Sequence, residues 1–187
     1  MTSVIRAGKN NNMTDFVTFL VFCQALGASV GAVMVLWGEF AYIRTMRLPA
    51  QAGDGKIDVA ERVHLNIIAK GLRFGMTLLL LASLGLVIVA YILQATTQPA
   101  LTSVYWTLIM LSFLIIGISW ALSRRRVSFA LGSAIIFTSW WFLSYLTLGW
   151  LPQLSFGSAV ALLVVATMVT YGLFHYIRLL VGHLSQK

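Results

Sequence analysis

Three side chains in this sequence sit where titratable groups are costly, and their spacing suggests what they could do. Glu39 is the one acidic residue inside an apolar run. An ionised side chain at such depth costs a few kcal/mol on insertion scales. His175 lies in another apolar run, three residues before Arg178, at a similar depth. A glutamate and a histidine at one depth on different helices can relay a proton or coordinate a cation. Structural readings stand beside the functional one. Glu39, five residues before Arg44, can reach headgroup water or pair with a basic residue of the next helix, and His175 can bond to Tyr171 or a carbonyl. His64 precedes Arg73 by nine residues, roughly 13 Å of helical rise. It joins the other two only if its segment folds back into the bundle. His183, near the C-terminus, reads as solvated.

Other chemistry is thinner. Asp54-Gly55-Lys56-Ile57-Asp58-Val59-Ala60-Glu61 matches the second half of a calcium loop, but Ala50 and Ala52 stand where further ligands belong. Calcium takes about six to eight oxygens, so a glycine turn followed by a capped helix is the better account. Two intramembrane histidines would make a haem axial pair; His175 alone lies within a span, so such a site would have to recruit His64. The sequence holds no Gly-rich phosphate loop, and no paired-Asp or Ser-His set within the apolar runs. An enzyme is not expected, nor a resident metal, and no cofactor is specified. The single cysteine, Cys23, reads as a small core residue. Asn12-Met13-Thr14 fits the glycosylation pattern, a weak three-residue match.

The elements that must position these groups are membrane spans. Hydrophobic residues make up 59% of the 187 and charged ones 10%, against roughly 45–50% and 25% in soluble domains. That leaves too little polar surface to cover a water-soluble core. Apolar runs of bilayer length cover about 16–43, 74–93, 101–122, 127–150 and 154–181, between a polar tail at 1–15 and a cytoplasmic tail at 182–187. The leading residues are polar, so the first run reads as a retained span and not a signal peptide. Pro49, Pro99 and Pro152 all fall between runs, where proline is tolerated.

Charge sets the expected orientation. The net charge is +8, from 13 Lys and Arg against 5 Asp and Glu. Eleven of the basic residues fall on one side, among them Arg44, Arg124-Arg125-Arg126 and Arg178. The opposite loops, 94–100 and 149–155, carry no charge. The positive-inside rule puts the eleven in the cytoplasm, with the N-terminus outside and the C-terminus inside. No separate basic domain is present to bind nucleic acid.

From Asp58 to Arg73, polar residues recur at helical spacing opposite Val59, Val63, Ile67 and Gly71. Asp58 and Glu61 form a capping pair. The expectation is an amphipathic helix at 58–73 on or near the inner surface, leading into span two. Arg62, Lys70 and Arg73, with Arg124, Arg125 and Arg126, would meet anionic headgroups of the bilayer. Gly27, Gly31 and Gly38 in span one, and Gly71 and Gly75 in span two, allow close helix packing.

The stretch Gly38 to Ile88, with GEFAYIR, DGKIDVAE and a glycine-containing apolar span, resembles the opening spans of small uncharacterised bacterial integral membrane proteins. The resemblance implies a bacterial inner-membrane setting and no activity. Copper-resistance and cytochrome-like membrane proteins have similar two-span openings with histidine within the helices; Gln24 stands where such a histidine would be.

The expected fold is an all-α polytopic bundle of five transmembrane helices plus the interfacial helix. Three functions remain open. The first is a non-enzymatic transport or ion-handling protein with a site at Glu39, His175 and His64. The second is a structural or assembly subunit, with a homo-oligomer or membrane partner covering its close-packing faces. The third is a redox subunit holding haem or quinone.

Overall fold

A computed structural model describes residues 2–46, 59–94, 98–152 and 154–185. Among these residues all regular structure is helical. The helices are α1 (Thr2–Met46), α2 (Val59–Gly71), α3 (Thr77–Ile92), α4 (Ser103–Ser123), α5 (Phe129–Thr147) and α6 (Phe156–Ser185). A π-helical segment, Leu72–Met76, joins α2 to α3, and a single 3-10 turn, Pro99–Leu101, precedes α4. Five stretches are long and apolar enough to cross a bilayer: Met13–Thr45, Glu61–Ile92, Ser103–Ser123, Phe129–Thr147 and Phe156–Val181. Such a set of helices supports a multi-pass membrane protein.

The chain departs from the sequence-based expectation in two places. The polar residues at 2–15 continue the first helix, which starts at Thr2. Once a long apolar span has nucleated a helix, adding turns costs little. The segment expected as an amphipathic helix leading into the second span is helical from Val59 and runs on into α3 as part of one long stretch, Glu61–Ile92. Gly71, Met76 and Thr77 all keep right-handed helical dihedrals through the π segment, so nothing breaks the helix between α2 and α3. Its buried stripe is His64, Ile68, Gly71 and Gly75, while Val63 is exposed. The antiparallel α1 explains this. It runs on to Met46 and offers α2 a partner as well as α3. The capping Asp58 and most of the calcium-like loop lie outside the described residues.

The core forms where α1, α3 and α5 cross. A Cβ on Gly27 would stand 2.7 Å from the Gly75 carbonyl oxygen, and one on Gly75 equally close to that of Gly27. Trp140 of α5, fully buried, lies against Gly31 and Gly75, and a methyl group on Gly31 would fall inside its ring. Gly71 abuts Met34 in the same interface. The α5 helix is central, with 56% of its apolar window buried, and α6 is peripheral, with 11%.

Tight turns close the ends of the bundle. After α4, Arg125 takes a left-handed φ of 53°, its N–H donates to the Leu122 carbonyl, and the Arg126 N–H donates to that of Ala121. This is the pattern that satisfies the last carbonyls of a helix, with arginine where glycine is usual. After α5 the same pattern recurs with Gly149, φ 70°.

Candidate functional site

The site is assembled at the end of the bundle where the α4–α5 turn and the end of α6 meet the C-terminal part of α1. The inward stripe of α1 carries Val35, Gly38, Glu39 and Tyr42, all buried. From α2 comes His64, from α5 Phe129 and Ser133, and from α6 Phe174 and Arg178. Glu39 is 5% exposed and His64 0%. The position of Gly38 makes room for the imidazole, since a Cβ there would lie 3.2 Å from His64 Nδ1.

Arg178 closes the site from α6. Its Nη2 donates to Glu39 Oε2 at 3.0 Å and to Ser133 Oγ at 2.9 Å. Its guanidinium carbon also lies 4.9 Å from the Tyr42 ring centre, 5.2 Å from Phe129 and 5.6 Å from Phe174. A carboxylate, a hydroxyl and three aromatic faces thus surround one cation, which compensates its removal from water.

The other half of the carboxylate is less committed. Glu39 Oε1 faces His64 Nε2 at 3.6 Å, beyond hydrogen-bond length. Among the described residues neither Oε1 nor Nε2 has a hydrogen-bond partner, while the other side of the imidazole lies against the Gly38 backbone. Buried polar atoms without partners are few in folded proteins and call for a reason. Tyr42 and Phe129 pack against the imidazole in T-shaped contacts, at 6.0 and 5.0 Å between ring centres.

Of the three residues singled out from sequence, the structure brings together Glu39 and His64. It does so without any folding back, because α1 extends alongside α2. His175 is not part of the cluster. It is exposed on α6 and stacks on Tyr171, with ring centres 6.3 Å apart. Arg178, counted from sequence among the cytoplasmic cations, takes its place one turn further on. Three residues along a helix shift a side chain by about 60° around the axis, and on the peripheral α6 that leaves His175 exposed while Arg178 reaches Glu39. The same placement keeps His175 from facing His64 as an axial partner.

Arg178, Ser133, Tyr42, Phe129 and Phe174 were not singled out from sequence. Arg178 did carry a signal, a lone basic residue flanked by Tyr176, Ile177, Leu179 and Leu180. The others carry none, since a serine or phenylalanine in an apolar helix is ordinary.

The remaining positions fall elsewhere. Arg62, Lys70, Arg73, Arg124, Arg125 and Arg126 are exposed. Arg124 and Arg126 lie over the Trp120 ring, at 5.4 and 5.0 Å. At the opposite end of the bundle, Gln24 Nε2 donates to Ser83 Oγ at 2.8 Å beside a cavity of 160 Å³. Comparison with protein-family models, curated proteins and solved structures found no match to this chain.

Proposed function

We propose that this chain is a non-enzymatic, proton- or cation-handling protein of a bacterial inner membrane. In this reading the arginine-rich end of the bundle faces the cytoplasm, as the positive-inside rule requires. One observation carries it. Glu39 has one oxygen held by Arg178, while the other faces an unpartnered His64 nitrogen inside a bilayer-length helix pair. Ionisable groups at such depth generally mark ion or proton paths. The roles divide accordingly. Arg178 keeps a counter-charge on Oε2, and a proton on His64 Nε2 passes to Oε1 once a small ring movement closes the 3.6 Å gap. The imidazole suits this role because its charge changes near neutral pH.

The test is proton flux into liposomes loaded with a pH-sensitive dye. Glu39→Gln and His64→Gln should each abolish flux, and Lys70→Gln should leave it intact. Unchanged flux in both site variants would overturn the reading.

A further inference from the structure

We infer that Phe129 is the gate between the buried Glu39–His64 pair and an aqueous cleft at the arginine-rich end of the bundle. The inference rests on the function proposed above and names the route by which protons or small hydrated cations reach the site. The cleft measures 420 Å³ and is lined by Glu61, Leu65, Leu122, Arg125, Val127, Ser128 and Phe129. At about 30 Å³ per molecule it has room for roughly a dozen waters. Glu61 and Arg125, both charged, line it from α2 and from the α4–α5 turn.

Phe129 belongs to both compartments. It lines the cleft, and its ring lies 5.0 Å from the His64 ring, 4.7 Å from Tyr42 and 5.2 Å from the Arg178 guanidinium carbon. None of Glu39, His64 and Arg178 reaches the cleft wall. Among the described residues, Phe129, the first residue of α5, thus packs between the cleft and a fully buried imidazole. Glu61 lies three residues before His64 on α2, so the cleft and the imidazole share one side of that helix. A rotation of the Phe129 side chain would join them with no movement of the helices.

The experiment reads access directly, without flux. Purified protein is treated with diethylpyrocarbonate, and modification of each histidine is followed by mass spectrometry. In the native chain His64 should react far more slowly than the exposed His175. Phe129→Ala should speed His64 by about tenfold or more, as removal of a local barrier does, and leave His175 unchanged. Phe113→Ala, at an exposed site on α4, should change neither.

A second arm separates gate opening from general loosening. In a Cys23→Ser background, Ser128→Cys is combined with Phe129→Ala and its thiol is capped with a bulky maleimide. The cap should return His64 towards its native rate. The gate is overturned if Phe129→Ala leaves His64 protected, or if the capped cleft fails to slow it. Should labelling behave as stated while Glu39→Gln leaves flux unchanged, the access route stands and the proposed function falls.

Discussion

Two regions on the same inward stripe of α1 are held together by opposite means. At Gly27 and Gly31, α1 meets α3 and α5 by shape. Backbones approach without side chains between them, and a single indole fills the groove. At Glu39, about 12 Å along the helix by its rise, α1 meets α2 and α6 by charge, through a carboxylate, an imidazole and a guanidinium. Lipid is as apolar as a helix surface, so close packing there rests on contact between small residues and a shaped partner. The Glu39–Arg178 pair holds only while each charge keeps the other, because an uncompensated charge in this setting is costly. The first region tolerates little change of volume, and the second little change of charge.

The largest effect expected is at the shape-held crossing. Trp140→Ala empties the groove and should lower stability by about 3–5 kcal/mol, measured by reversible unfolding in mixed micelles. A loss under about 1 kcal/mol would show that the crossing closes up without the indole. At the charge-held site, Glu39→Ala strands Arg178, and a loss of about 3 kcal/mol is expected, at the low end because the Arg178 side chain is 12% exposed. The double variant Glu39→Gln, Arg178→Met should lose less than Glu39→Ala alone. If the losses of the single variants simply add, the two side chains are not acting as a pair.

Gly31→Ala forces a methyl group against Trp140 and should cost about 1–3 kcal/mol, leaving Glu39-dependent flux per folded molecule unchanged. Gly172, on the open face of α6, has nothing within 4 Å of an added Cβ. Gly172→Ala should stabilise the helix by up to about 1 kcal/mol. A loss at both glycines would mean that helical glycines matter here for some reason other than the groove. The smallest change is expected at Arg125→Gly, a gain of no more than about 1 kcal/mol from relieving the left-handed φ, read as a small rise in melting temperature.

Much of the helical layout was legible because lipid imposes a coarse rule on sequence. Each crossing needs a long apolar run, and Pro99 and Pro152 mark breaks between runs. The candidate site was legible in part. Glu39 stood out because a carboxylate in an apolar run is costly, and His64 was named with a condition attached. That condition, folding back, proved unnecessary because α1 is longer than a bilayer crossing requires. His175 was singled out on depth, and depth is only one of two coordinates on a helix. The second, the angle around the axis, depends on which neighbour the helix packs against. The buried stripe of α2 shows the same limit. Its polar spacing pointed to Val59, Val63, Ile67 and Gly71, but the neighbouring α1 took up His64, Ile68, Gly71 and Gly75.

Composition and periodicity alone therefore determined that this chain is helical, that five stretches can cross a bilayer, and that its arginines crowd towards one side. Only the packed structure decided that Trp140 belongs between Gly31 and Gly75, that Arg178 and not His175 answers Glu39, and that Phe129 packs against His64. The solvent acts on every residue separately and leaves its mark on the linear order. A partner acts only where helices touch, and about one sixth of a turn is enough to exchange one partner for another.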